Sequence, residues 1–134
     1  MLIPKQVKYK KYQKGRISYN FNYSQNFKFA PYALVATSSA RIRSSHIYAA
    51  QLAIKRKILR DGKLYTRIFP HIPVTKKPLE VRMGKGKGAI SYWMTRVKPG
   101  TFLFELNCSN PELAKIAFKV ASSKLPVKTI FIKK

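Results

Sequence analysis

Along the 134-residue chain the spacing of apolar positions changes period several times, and each change marks an element. Between residues 17 and 36 aromatic and polar side chains alternate (ISYNFNYSQNFKFAPYALVA), which predicts two short strands broken around Ser24 to Asn26, with Pro31 at an edge or a strand start. The period then lengthens. Ile47, Ala50, Ile54 and Ile58 recur at spacings of three and four, so a helix is expected from a Ser44 or Ser45 cap to about Arg60, stopping at Asp61-Gly62. Arg56, Lys57 and Arg60 project away from that apolar stripe.

Alternation returns in KLYTRIFP, residues 63–70, as in a half-buried strand, and Pro70, Pro73 and Pro78 favour extended backbone through the segment that follows. ISYWMTRV and TFLFEL are strand-like runs joined by Lys98-Pro99-Gly100, a turn signal that predicts an antiparallel hairpin. A second helix is written out in full. Asn110 caps it, Pro111 takes the first helical position, Glu112 complements the dipole, and Leu125-Pro126 ends it. Its expected buried stripe is Leu113, Ile116, Ala117, Val120 and Ala121, with Lys115 and Lys119 off it. VKTIFI supplies a last strand. Two helices among strands linked mostly as hairpins indicate an α+β fold with an antiparallel or mixed sheet. The expected organisation is a basic arm over residues 1–16 and one domain over 17–134, carrying a long glycine-lysine hairpin loop at about 76–92. There is no internal repeat.

Charge narrows the class. A hydrophobic share of 46% supports a core, but 28 lysines and arginines face four acids, Asp61, Glu80, Glu105 and Glu112, for a formal charge of +24. Such an excess repels itself and calls for a polyanion. Six cations lie in residues 1–16, seven in 41–63, seven in 76–98 and six in 115–134, a spread that fits phosphate on several sides better than a membrane surface met by one amphipathic helix. No apolar run approaches the roughly 18 residues of a membrane span, so no membrane insertion is expected. A lone cysteine, Cys108, excludes an internal disulfide and is expected to be a small buried filler.

The stretch VRMGKGKGAISYW carries the candidate chemistry. Its glycines fit the loose dinucleotide form G-x-G-x-x-A, but that fingerprint must open a helix, and Ile90-Ser91-Tyr92-Trp93 prefer a strand. A Walker A loop fails because glycine follows Lys87. The four acids are too scattered for a two-metal site, one cysteine and two histidines make no zinc spacing, and nothing local pairs Cys108 with His46 or His71. No cofactor, metal or catalytic residue is therefore expected. The loop can instead follow a phosphate backbone: glycines let the main chain approach and offer amide donors, while Arg82, Lys85 and Lys87 neutralise charge. Tyr9 and Tyr12, interleaved with lysines in the arm, suit phosphate contact with occasional stacking on bases.

Four blocks, MLIPKQVKYKKYQKGR, RIFPHIPVTKKPLEVRMGKGKG, YW…VKPG and AFKVASSKLPVKTIFI, resemble large-subunit ribosomal protein sixteen of the bacterial type, in order and along nearly the whole chain. The resemblance implies a non-enzymatic constituent of the large ribosomal subunit that binds large-subunit rRNA near the aminoacyl-tRNA site. Its implied partners are that rRNA, aminoacyl-site and peptidyl-site tRNA, and neighbouring large-subunit proteins. Carried onto this chain, the tRNA-facing loop is Arg82, Met83, Gly84, Lys85, Gly86, Lys87 and Gly88, and the rRNA-binding arm is Lys5, Lys8, Lys10, Lys11, Lys14 and Arg16. Arg41, Arg43, Lys55, Arg56, Arg60, Lys76 and Lys77, cations without acids to pair with, complete the candidate rRNA contacts.

The chain departs from the family pattern in places. Residues 17–30 are aromatic and asparagine-rich where relatives carry glycine and arginine, Tyr48 and Gln51 replace a charge pair, and His71-Ile72 stands where Asp-Lys is usual. Abundant lysine, asparagine, phenylalanine and tyrosine point to an AT-rich gene, and a bacterial-type start without a presequence points to an organelle-encoded protein. The expected site is the mitochondrial ribosome, with bacterial cytoplasm or plastid as alternatives. The competing functional class is a free-standing nucleic-acid-binding protein, which the charge alone would permit.

Overall fold

The computed structural model describes residues 2–17, 26–59 and 61–134. Chain order is β1 (Tyr32–Ala36), β2 (Ala40–Arg43), α1 (Ser44–Ile58), β3 (Lys63–Thr66), β4 (Ile72–Lys76), β5 (Ala89–Val97), β6 (Phe102–Asn107), α2 (Pro111–Ser122) and β7 (Thr129–Lys133). The strands form two sheets, one ordered β3-β6-β1-β7 and the other β2-β5-β4. Every pairing is antiparallel. The α+β architecture expected from the sequence is present, with its strands divided between these sheets.

Side-chain alternation decides what each face of the four-stranded sheet meets. Tyr32 and Leu34 of β1 lie opposite Leu106 and Phe104 of β6, and these four belong to the main core with Ile47, Ala50 and Ile54 of α1 and Ala114, Ala117 and Phe118 of α2. Ile42 of β2 and Val97 of β5 join the same cluster, so α1 lies against one face of the three-stranded sheet. The other face of the four-stranded sheet carries Ala33, Val35 and Phe102, with Phe27 laid edge-on to Phe102 at 5.2 Å. Central strand β1 is buried along its whole length, whereas edge strand β4 accommodates Pro73.

Several expectations are corrected. The Lys98-Pro99-Gly100 turn does not close a hairpin: it passes the chain from β5 in one sheet to β6 in the other. Its polar groups are claimed by the end of β1, since Gly100 N–H donates to the Ala36 carbonyl at 2.7 Å and Ala36 N–H to the Thr101 carbonyl at 2.9 Å. Neither Ser44 nor Ser45 caps α1. The helix follows β2 without a loop, Arg43 occupies the cap position in extended conformation with no capping side-chain bond, and Ser44 is already helical and buried. β2 itself, only Ala-Arg-Ile-Arg, carries too short an alternation to announce itself. Of the two strands expected in 17–36, the second is β1, residues 26–30 are not strand, and residues 18–25 lie outside the described residues.

The α2 cap is as expected, with the Asn110 side-chain oxygen accepting from Glu112 N–H at 2.9 Å. Its buried stripe is as expected only in part: Ala117 and Ala121 face inward, but with Ala114 and Phe118, while Ile116 is 52% exposed and Val120 and Leu113 are half-buried. Two overlapping apolar stripes run along this helix, and the one rich in alanine wins because small side chains let α2 approach α1 closely around Phe118. Consequently Ile116→Ala should move the unfolding free energy by no more than about 0.5 kcal/mol. Ile54→Val, a smaller change at a fully buried site, should cost about 0.5–1.5 kcal/mol. Urea unfolding of the two variants checks the order, and a larger loss for Ile116→Ala would return it to the core.

Candidate nucleic-acid interface

With Ile42, Thr95 and Val97 turned toward the helices, the alternate residues of β2 and β5 must face outward. They are Arg41, Arg43, Met94 and Arg96, and Arg41 lies directly across the ladder from Arg96. Like charges in that position repel. What they do here is hold the N-terminal arm. Arg41 Nη2 donates to the Gly15 carbonyl at 2.7 Å, and Arg96 Nη2 to the Gln13 carbonyl at 3.2 Å. The arm is pinned at its start as well, where Leu2 packs against the main core, and residues 5–16 between the two anchors are all exposed.

The glycine-lysine loop, residues 77–88 between β4 and β5, meets the same arm. Lys11 Nζ donates to the Lys87 carbonyl and Lys87 Nζ to the Tyr12 carbonyl, each at 2.6 Å. Lys77 Nζ ties the base of the loop to the Gly84 carbonyl. At the tip Gly84, Lys85 and Gly86 all have positive φ, 110°, 53° and 83°. A Cβ added at Gly84 or Gly86 would touch nothing, so backbone conformation and not packing asks for glycine there. At Gly88 the reason is contact: a Cβ would come within 2.8 Å of the Lys76 carbonyl. Residues 81–87 are all exposed, with Met83 at 97%.

Lys11, Lys14, Arg41, Arg43, Lys87 and Arg96 are thereby gathered along one strip built from arm, sheet and loop. The ion pair found among the described residues, Arg67 with Glu105, lies elsewhere. These six cations are held by neutral carbonyls or by none, so their charge remains available to an external polyanion. Arg43 Cζ lies over the Tyr92 ring, 4.3 Å from its centroid, and Lys8 Nζ lies 5.6 Å from that of Tyr9. Lys5, Lys8, Lys10 and Arg16 are exposed on the arm, and Lys76 stands at the base of the loop. Lys55 and Arg56 are exposed in the last turn of α1, which packs on the opposite face of the three-stranded sheet, so they do not join the strip. Arg60 lies outside the described residues. Arg96 and Tyr92 were not among the expected contacts; the two-residue spacing of Arg96 from Met94 and Tyr92 along a strand was the available signal.

The remaining chemistry is structural. Cys108 is buried, burial and the nearby Asp61 charge push its thiol pKa up, and Sγ donates to the Asn110 carbonyl at 3.3 Å, surroundings that disfavour the reactive thiolate. Asp61 accepts from Ser109 Oγ at 3.0 Å. Glu105 is wholly buried, accepting from the backbone amides of Phe29 at 2.7 Å, Ala30 at 3.1 Å and Lys28 at 3.3 Å as well as from Arg67. Burial alone would raise its pKa. The Phe29 amide, Arg67 and the Lys28 amide outweigh that and hold it below the ordinary carboxylate value. Among the described residues no group of three histidines, cysteines or acids could hold a metal, and no helix is long and apolar enough to cross a membrane.

Residues 4–132 match the protein family described as ribosomal protein L16p/L10e. The chain is 49% identical to the large ribosomal subunit protein uL16 of Buchnera aphidicola subsp. Baizongia pistaciae over 134 residues, covering 100% of this chain and 98% of that one. It is equally close, 49% over 134 residues with the same coverage, to the uL16 of Pelagibacter ubique. With the uL16 of Borreliella burgdorferi it shares 49% over 132 residues, 98% of this chain and 96% of that one. With the basic strip, the glycine-lysine loop and these matches together, the chain belongs to the ribosomal protein L16p/L10e family, whose role is structural and rRNA-binding, not catalytic.

Proposed function

We propose that this chain organises large-subunit rRNA around the aminoacyl-tRNA site, with the arm and sheet cations of the strip on rRNA and Arg82 to Gly88, Lys87 included, facing tRNA. The observation that carries the reading is the assembly of six cations with no counter-ion among the described residues, beside a loop exposed over residues 81–87 whose stem Lys87 ties to the arm. A loop held at its stem and open at its tip can reach a mobile ligand while the arm stays on the rRNA. Neighbouring large-subunit proteins and peptidyl-site tRNA complete the partners. We place the particle in mitochondria, on the strength of the lysine-, asparagine- and aromatic-rich composition.

The protein should sediment with the large subunit in a gradient of a mitochondrial matrix extract and stay with it through a high-salt wash. Recovery free of the particle would favour the free-standing nucleic-acid binder, and recovery in another compartment would overturn the mitochondrial assignment. Lys85→Ala with Lys87→Ala should slow tRNA accommodation several-fold in reconstituted ribosomes while leaving the unfolding midpoint of the isolated chain in place, because both side chains are exposed. Unchanged accommodation, or a collapse in stability, would remove the loop from the tRNA site.

A further inference from the structure

The outward face of the three-stranded sheet holds a cleft of about 230 Å³ lined by Lys14, Arg41, Arg43, Val74, Tyr92 and Met94. Its composition differs from the rest of the strip. The floor is a narrow apolar strip, Val74 4% and Met94 2% exposed, packed with Ile72 and the half-buried Tyr92. Arg43 Cζ lies over the Tyr92 ring, 4.3 Å from its centroid, and its guanidinium makes no hydrogen bond among the described residues. The rim is cationic: Lys14 comes from the arm and Arg41 from β2, and Arg41 spends one donor on the Gly15 carbonyl. Beside it, Arg96 Nε is buried without a partner among the described residues.

A solvated phosphate-binding surface needs none of this. Backbone phosphates are met by exposed cations, and a preformed apolar floor beneath a stacked guanidinium offers them nothing. Those features suit a flat, partly apolar group carrying an anion on one side. The volume is below the about 300–1,000 Å³ of a site for a free drug-sized ligand, so only a small part of a larger molecule fits. A single unstacked nucleotide has a π-face for the guanidinium, a C–H-bearing base edge for Val74 and Met94, and a phosphate for Lys14 and Arg41.

We propose that this cleft takes one unstacked nucleotide of an RNA helix, its base on the Arg43–Tyr92 stack and its phosphate between Lys14 and Arg41. The proposal rests on the rRNA-binding reading and adds to it that the surface recognises a bulge and not only phosphate density. Because Lys14 belongs to the arm, the pocket is complete only when Arg41 and Arg96 hold the arm down. Capture of a bulged nucleotide therefore also selects the docked arm.

The test uses the purified full chain and two RNA hairpins, one carrying a single bulged 2-aminopurine and the other with that purine paired to uridine, titrated at 150 mM KCl. The bulged hairpin should bind about 5- to 100-fold tighter, the range expected for one stacked base, with quenching of the 2-aminopurine as it stacks. Arg43→Lys, which keeps the charge and loses the planar face, should bring the ratio of the two affinities close to one, as should Tyr92→Leu. Lys115→Ala on α2 should leave the ratio as it is. Equal affinity of the unaltered chain for both hairpins, or a ratio that survives Arg43→Lys, overturns the pocket and leaves the rRNA-binding reading standing. Failure to bind either hairpin overturns both.

Discussion

Glu105→Ala should destabilise the chain by about 3–5 kcal/mol, as expected when one partner of a buried ion pair is removed. The loss exceeds that of a surface pair because four donors converge on this carboxylate. The amides of Lys28, Phe29 and Ala30 and the Arg67 guanidinium all point at a group with no exposed surface, and without it the Ala30 amide is left buried and the other three part-buried, all unsatisfied. The bonds also have an architectural role. They hold residues 28–30 across the second face of the four-stranded sheet, where Phe27 lies against Phe102, so Glu105→Ala should expose that face first.

Acid should act in the same direction. The folded carboxyl titrates below its unfolded value, so the unfolded state binds more protons as pH falls. The stabilisation is complete above the unfolded pKa of about 4.3 and is lost as pH drops through the folded one. Urea unfolding at pH 7 and across the acid range would show it, with Glu105→Gln losing this part of the pH slope. The double change Glu105→Gln with Arg67→Met should recover stability relative to Glu105→Ala, since one stranded charge is then gone. A Glu105→Ala chain within about 1 kcal/mol of the unaltered one would show that water satisfies these donors.

Glu105 also shows where sequence reasoning stops. Its run, TFLFEL, was legible as a strand, and a carboxylate inside such a run is out of place on propensity alone. Nothing local says that its partners are amides more than 70 residues earlier. The same separation hid the true strand pairing: Lys98-Pro99-Gly100 forms a turn, with Thr101 N–H on the Lys98 carbonyl, but Gly100 N–H goes to Ala36 and β6 pairs with β1 and β3. Elements whose signals are short-range were readable, including the Asn110-Pro111 start of α2 and the Ile47–Ile58 stripe of α1. Where two apolar stripes competed on α2, only packing against α1 could choose between them. The loop and arm cations were visible as charge. Their convergence with Arg96 was not, because it depends on the register of Arg41 against Arg96 and on the arm folding back over the sheet.

Replacing the six arm cations, Lys5, Lys8, Lys10, Lys11, Lys14 and Arg16, by glutamine should weaken binding to a large-subunit rRNA fragment by about 10³-fold or more near 100 mM salt. It should also flatten the dependence of log K on log salt by up to about 4–5. The arm is exposed from residue 5 to 16, so these charges can reach phosphate without refolding the core. They are not equivalent, however. Lys11 holds the loop through the Lys87 carbonyl, so its removal should loosen the loop stem as well as subtract a charge. Lys5, Lys8 and Lys10 make no such tie among the described residues, and each should act as one phosphate contact, lowering the slope by about 0.7–0.9. The arm itself should remain docked in all these variants, because Arg41 and Arg96 hold it by the main-chain carbonyls of Gly15 and Gln13, which the substitutions leave untouched. Filter binding over 50–300 mM KCl separates the two behaviours: a slope unchanged by the six substitutions would mean that the arm does not lie on RNA and that the sheet arginines and the loop carry the electrostatic contact alone.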